Sequence, residues 1–119
     1  MLDDGTGAIG AYAVFNAAGT PVRLLVINTN YFNGTGTRSS TATAFTGLST
    51  GLRTVQAKRM TAPAATSQVD EGAAVTIGGS PSFTSSCART GTQTTESVAV
   101  SGGAMSVSVQ ASEALIVFL

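Results

Sequence analysis

The chain has 119 residues and a mass of 11.8 kDa, and its six basic and six acidic residues give a formal net charge of zero. So few and balanced charges argue against a nucleic-acid binder, which concentrates basic residues on one face, and supply no basic patch for an anionic membrane. The longest apolar run, residues 114–119, is too short to cross a bilayer. We expect one domain, residues 1–119, that contacts neither nucleic acid nor membrane.

Apolar and polar residues alternate with a period of two along most of the chain, which predicts β-strands. The first predicted hairpin joins strands 9–15 and 21–27 through a turn at 16–19. The adjacent Lys58 and Arg59 interrupt the alternation, which predicts a bulge or an exposed, charge-protected strand edge. Further strands are predicted at 41–45, 52–60 and 75–77, loops at 61–72 and 82–95, and a turn at 78–81.

The Gly102-Gly103 pair predicts a two-residue hairpin turn between two alternating segments. In that register Val100 lies opposite Met105, and Val98 lies opposite Val107. All four apolar side chains then share one face, so register and hydrophobic pattern agree.

The last predicted strand, residues 114–118, is apolar on both faces and is expected in the middle of a sheet. With turn signals at intervals of about 8–12 residues and no helical periodicity, the pattern predicts an all-β fold. We expect an antiparallel β-sandwich of about eight strands.

The sequence offers little catalytic chemistry. It contains no histidine to activate a nucleophile, and its one cysteine, Cys87, cannot form an internal disulfide. Cys87 is expected to be a buried structural thiol or a thiol left from a larger parent chain. The carboxylates lie in Gly-flanked loops or at strand starts and form neither a glycosidase pair nor a metal-ligand pattern: Asp3, Asp4, Asp70, Glu71, Glu96 and Glu113. We predict no catalytic, cofactor-binding or metal site.

The segment INTNYFNGTGTR, residues 27–38, leaves a core strand and turns the chain. Asn33-Gly34-Thr35 within it is a sequon, which makes Asn33 a candidate for N-glycosylation. Tyr31 and Phe32 either pack under the loop or contact a partner, and Arg38 is a third candidate for such a contact.

Five segments, in order, resemble the C-terminal domain of family 79 glycoside hydrolases, especially the fungal β-glucuronidase-like enzymes and their heparanase relatives. They are AYAVF, PVRLLVINTNYFNGTGTR, VQAKRMTAPAATSQ, TIGGSPSF and ASEALIVFL. The resemblance runs from about residue 2 to residue 119. It implies a β-sandwich that packs against a catalytic (β/α)8 barrel and supports its folding, stability and secretion.

The catalytic glutamates of that family lie in the barrel, so the resemblance implies no catalytic residue and no enzymatic activity here. It implies a secreted parent, although MLDDGTG at the start of the chain has neither a basic nor an apolar leader region. It also implies that the sandwich can borrow a strand from residues before the barrel, so that an isolated copy either has an unpaired edge or fills that gap itself.

Two readings of function stay open. In the first, the chain is the non-catalytic accessory module of a β-glucuronidase-like hydrolase, with the barrel as its partner. In the second, it is a stand-alone secreted β-sandwich of fungal type that binds a glycan, a cell-surface protein or a second copy of itself in an immunomodulatory or defence role. A scaffold or inhibitor that docks to a barrel in place of the domain is a third.

Overall fold

A computed structural model describes residues 2, 5–81, 84, 86, 88 and 90–119. These residues form an antiparallel β-sandwich in which a seven-stranded sheet faces a two-stranded sheet. The strands are β1 (Ile9–Phe15), β2 (Pro21–Asn28), β3 (Ser40–Phe45), β4 (Thr54–Thr61), β5 (Thr76–Ile77), β6 (Ser80–Pro81), β7 (Glu96–Ala99), β8 (Met105–Gln110) and β9 (Glu113–Phe118). The predicted all-β sandwich is confirmed.

The large sheet is built around β9. Its central order is β1-β2-β9-β4, and β7 and β5 lie one after the other along the far edge of β4, with β6 beyond β5. The last strand of the chain is therefore an interior strand, as its two apolar faces predict. The small sheet pairs β3 with β8 in one continuous register.

The first hairpin follows the prediction closely. Strand β1 has the predicted bounds, and the turn is closed by the backbone N–H of Asn16, which donates to the carbonyl of Thr20 at 2.9 Å. The side-chain oxygen of Asn16 accepts from the N–H groups of Ala18 and Thr20, while Gly19 takes a positive φ of 76°. An Asn that caps its own turn and a Gly in the left-handed region are what this sequence favours.

The predicted pairing around Gly102-Gly103 is wrong beyond the turn itself. Ser101 and Ala104 exchange both backbone hydrogen bonds at 2.9 Å, so the two-residue turn forms in the expected register. The chain then diverges, because β7 pairs with β4 in the large sheet and β8 pairs with β3 in the small one. Alternation specifies only which side chains of a strand face the core. Strands β7 and β8 both follow this pattern, although they lie in opposite sheets.

One further prediction is corrected. The Lys58-Arg59 pair lies in an interior strand without a bulge, since β4 pairs with β9 in unbroken register from Gln56 to Met60. Lys58 and Arg59 point to opposite faces of the sheet, and Arg59 is neutralised by carboxylates between the sheets. The turn predicted at 78–81 is confirmed at Gly78 and Gly79, and it closes a short hairpin between β5 and β6.

The core lies between the two sheets and takes alternate residues from each strand. Strands β2 and β9 bury every second side chain, including Val26 and Val117 at 0% exposure, and β8 buries Val109 from the opposite sheet. The remaining buried apolar residues are Ala11, Leu24, Phe45, Val55, Ala57, Val100, Met105, Val107, Ala111 and Leu115. The intervening residues of β1, β2, β9 and β4 form the outer face of the large sheet.

Candidate functional site

A polar cluster closes one end of the apolar core. Glu113, the first residue of β9, is 6% exposed, and it lies in the sheet row of Asn28 on β2. Its carboxylate accepts hydrogen bonds from Arg59 Nη1 at 2.8 Å, from Thr61 Oγ1 at 2.7 Å and from the backbone N–H of Gln110 at 3.1 Å. A buried charge with this many donors is compensated, which is the condition for keeping it ionised inside a protein.

Arg59 connects this buried carboxylate to the surface and to the other sheet. Its Nε and Nη2 donate to the two carboxylate oxygens of Glu96 at 2.8 and 3.0 Å, a bidentate pair. Nη2 also donates to the carbonyl of Ser108 on β8 at 3.1 Å. The hydrogen bonds that Arg59 donates to Glu96, together with the one it donates to Glu113, raise the pKa of Arg59 despite its partial burial.

Asn28 makes a second link between the sheets. Its side-chain Nδ2 donates to the carbonyl of Val109 at 3.0 Å, and its Oδ1 accepts from the backbone N–H of Asn30 at 3.1 Å. The residue is 1% exposed. The Asn28 side chain thus both holds the sandwich together and starts the loop that follows β2.

Arg38 fastens three loops to one another. Its Nε donates to the carbonyl of Ala111 at 2.7 Å and its Nη2 to that of Ser112 at 3.1 Å. Its Nη1 donates to Thr61 Oγ1 and to the carbonyl of Ala62, each at 3.1 Å, and lies 3.6 Å from the Glu113 carboxylate. The side chain is only 13% exposed, so its donors are used within the chain.

The remaining predicted contact residues lie in the same loop but differ in exposure. The ring of Phe32 lies under the Arg38 guanidinium at 5.0 Å, and the Phe32 backbone bonds to Ser112 Oγ and to the N–H of Ala65. Tyr31, in contrast, is 68% exposed. The structure therefore brings Phe32 and Arg38 together inside the loop and leaves Tyr31 outside it.

This cluster has the chemistry of a structural element. Burial acts to raise the pKa of Glu113, but the hydrogen bonds from Thr61, Gln110 and Arg59 outweigh it and leave that pKa lowered. A general acid needs the opposite shift. Within the described residues, no group of three or more His, Cys, Asp or Glu is placed to hold a metal ion. Asp3, Asp4 and Cys87 lie outside the described residues.

The outer face of the large sheet is unusually apolar. In cross-strand register, Tyr12 of β1 lies beside Leu25 of β2, which lies beside Ile116 of β9. The neighbouring rows run Ile27, Ala114, Met60 and Val14, Arg23, Phe118. We call the apolar residues of these rows the outer apolar face: Tyr12, Val14, Leu25, Ile27, Met60, Ala114, Ile116 and Phe118.

Solvent reaches this face. Tyr12, Val14 and Met60 are 38%, 42% and 49% exposed, and the other members are partly exposed. The charged residues beside it are few: Arg23 stacks its guanidinium 5.7 Å from the centre of the Phe118 ring, and Lys58 donates to Gln93 at 2.9 Å. A contiguous apolar patch with a thin polar rim is typical of a surface that another protein covers.

A hollow of about 310 Å³ adjoins the outer apolar face where the 62–67 loop bends over the sheet. Ile27, Met60 and Ala114 line its sheet side, and Ala64 and Ala65 line its loop side. Polar residues, among them Asn28 and Glu113, complete its lining.

The geometry defines a β-sandwich module whose buried polar groups bond within the chain and whose large sheet has an apolar outer face partly exposed to solvent. Residues 11–116 match the model of the glycosyl hydrolase family 79 C-terminal beta domain, and the chain belongs to that family. It contains this β domain and not the catalytic barrel of the family's enzymes.

The structure is similar to part of a 4-O-alpha-L-rhamnosyl-beta-D-glucuronidase from Fusarium oxysporum 12S, solved as a Rha-GlcA complex. The match has a TM-score of 0.90 and 44% sequence identity, and covers 99% of this chain. The chain spans 25% of the length of that enzyme. A search of curated proteins found no match. None of the described residues belongs to a helix long and apolar enough to cross a membrane.

The sequence reasoning missed the roles of Asn28, Arg59 and Glu113. From the sequence alone, the segment 27–38 that contains Asn28 indicates a turn, and Glu113 indicates only a carboxylate in a loop or at a strand start. One signal in the sequence is usable. Alternation along β4 assigns Val55, Ala57 and Arg59 to the same face, so a charged side chain occupies a position on the buried face of the strand.

Proposed function

We propose that the chain is the accessory module of a secreted β-glucuronidase-like glycoside hydrolase, and that its outer apolar face docks against the enzyme's catalytic (β/α)8 barrel. In this role the module covers an apolar surface of the barrel and so stabilises it during folding and secretion. The module itself carries out no hydrolysis.

The observation that carries the proposal is the apolar outer side of β9 and its neighbours. A sheet that faces water on one side normally alternates apolar and polar residues. Here Leu25 and Ile116, which are paired with each other, and Phe118 in the neighbouring row interrupt that rule on the solvent side. Burying such side chains stabilises an interface by roughly 1.5–3 kcal/mol for each one that becomes fully covered.

The length of the related enzyme supports the barrel as the occupant. The chain matches 25% of the Fusarium oxysporum glucuronidase, so the greater part of that protein is available to lie against the domain. A covalently joined partner has a high effective concentration, so a face of moderate area is sufficient to hold it.

A chimera tests the proposal. The matching C-terminal part of the Fusarium oxysporum glucuronidase would be replaced by this chain and the enzyme secreted from a fungal host. We expect the chimera to be secreted and active, and Ile116→Asp or Leu25→Asp in the outer apolar face to reduce its secreted yield at least tenfold.

Ser106→Asp is the matched control, because Ser106 is exposed on the small sheet and receives the same charge. It should leave the yield unchanged. Equal yields from the Ile116→Asp, Ser106→Asp and unsubstituted chimeras would contradict docking through this face.

A second candidate function rests on Tyr31, a residue that is 68% exposed and whose aromatic ring could stack on a sugar. In a stand-alone secreted protein it would be the contact to a glycan or cell-surface partner. A glycan array tests this role: binding that is lost with Tyr31→Ala supports it, and no binding by the unsubstituted chain contradicts it.

A further inference from the structure

We propose that Asn33 carries an N-linked glycan when the chain passes through a eukaryotic secretory pathway. The site is the exposed tip of the loop between β2 and β3, and Asn33 is not one of the residues of the outer apolar face. The modification is independent of whether the outer apolar face binds a barrel.

Hydrogen bonds on both sides of the sequon hold its loop in place. On one side the Phe32 backbone bonds to Ser112 and Ala65, and on the other Arg38 is held by the contacts described above. Residues 33–37 between these anchors are all exposed. A bulky sugar attached at this point extends into solvent without displacing a core side chain.

The local geometry leaves the reacting atom of Asn33 available. Asn33 Oδ1 accepts from the backbone N–H of Thr35 at 3.0 Å and from its hydroxyl at 2.9 Å. Both contacts use the side-chain oxygen, and the amide nitrogen Nδ2 takes no part in this turn. Gly34, with a φ of 88°, permits the tight return that places Thr35 beside Asn33.

The reaction joins this nitrogen to a sugar. Nδ2 attacks the anomeric carbon of an oligosaccharide carried on a lipid pyrophosphate, the donor class of the eukaryotic pathway. The new C–N bond forms as the bond from that carbon to the pyrophosphate oxygen breaks. The lipid pyrophosphate leaves, and the amide proton passes to a base of the transferase.

Turn chemistry alone also favours Asn-Gly at this position, so the test has to separate a turn from an acceptor. Asn33→Asp separates them, because the aspartate keeps an oxygen that can accept both hydrogen bonds from Thr35 but has no amide nitrogen. Thr35→Ser keeps the hydroxyl of the sequon, and Thr35→Ala removes it.

The experiment imports the full chain, behind a cleavable leader, into microsomes. A second sequon in a C-terminal tag reports import on every molecule. We expect two glycans on the unsubstituted chain and on Thr35→Ser, and one on Asn33→Asp and Thr35→Ala, all removed by endoglycosidase. Imported molecules of the unsubstituted chain that carry the tag glycan alone would overturn the proposal.

Discussion

Arg59 on β4 and Glu113 at the start of β9 are joined by a hydrogen-bonded ion pair of 2.8 Å inside the sandwich. The pair continues outward, because the same guanidinium holds the half-exposed Glu96 on β7. Three strands of the large sheet are thereby connected through one side chain, which also reaches β8 across the core. Side chains of this kind fix how two sheets sit on each other, a role that apolar contacts fill less specifically.

Replacing Glu113 with Gln is expected to lower the free energy of unfolding by about 3 kcal/mol, because it leaves Arg59 with an unneutralised inner end. Glu96→Gln is the matched control. Glu96 is 45% exposed, so its loss should cost about 0.5–1 kcal/mol. Urea denaturation measures both values. Equal losses of unfolding free energy would show that the buried Arg59–Glu113 pair stabilises the fold no more than the exposed Arg59–Glu96 pair.

Acid should destabilise the protein through Glu113. The pKa of Glu113 is lowered in the folded chain, so its stabilising contribution is complete above the ordinary glutamate pKa of about 4.3. That contribution is lost as the pH falls toward the lower folded-state value. The free energy of unfolding, measured from neutral to acid pH, should therefore fall less steeply in Glu113→Gln than in the unsubstituted chain. Parallel pH profiles for the two proteins would refute this assignment.

The turn through which the chain passes from β7 in the large sheet to β8 in the small sheet depends on Gly103. It has a φ of 75°, and a Cβ there would lie 2.7 Å from the carbonyl oxygen of Leu48. Gly103→Ala should lower the free energy of unfolding by about 3 kcal/mol, through backbone strain and overpacking together. Gly102 also has a positive φ but no atom within 4 Å of its added Cβ, so Gly102→Ala should cost only about 1 kcal/mol. Thermal or urea unfolding distinguishes the two, and a smaller loss at Gly103 than at Gly102 would be inconsistent with the packing.

Leu115 and Ile116 are sequence neighbours that serve the two faces of β9. Leu115 is 1% exposed in the core, so Leu115→Ala should cost about 3 kcal/mol of unfolding free energy in the isolated chain. Ile116 lies on the outer apolar face, and Ile116→Ala should cost about 1 kcal/mol. Urea denaturation of the two variants gives both values. A loss at Ile116 as large as that at Leu115 would mean that the outer face is already covered within the chain.

Much of the fold was predictable because strand periodicity is local. The bounds of β1, the Asn16 turn and the interior position of β9 all follow from residues close together in the chain. The strand that pairs with β8 could not be predicted in this way, because alternation identifies the buried face of a strand but not its neighbour in the sheet. For the same reason Val98 and Val107 share the core although they lie in opposite sheets.

The polar cluster could not be read from the sequence, because its members are far apart in the chain. Arg59 and Glu113 are brought into contact by the pairing of β4 with β9, and Asn28 reaches β8 only once the sheets have packed. Each residue has an ordinary local interpretation as a charge near a strand end or as a turn former. The outer apolar face was easier to anticipate, since a final strand apolar on both sides needs a cover on each side.

Oxidative footprinting of Tyr12, Met60 and Tyr31 tests the central claim most directly. Tyr12 and Met60 lie on the outer apolar face at 38% and 49% exposure, while Tyr31 is 68% exposed on a loop outside that face. Labelling by hydroxyl radicals would be compared, by peptide mass, between the isolated chain and the chimera with the glucuronidase barrel. We predict that Tyr12 and Met60 become protected in the chimera while Tyr31 is labelled equally in both proteins. Equal labelling of Tyr12 and Met60 in the two proteins would contradict docking through the outer apolar face.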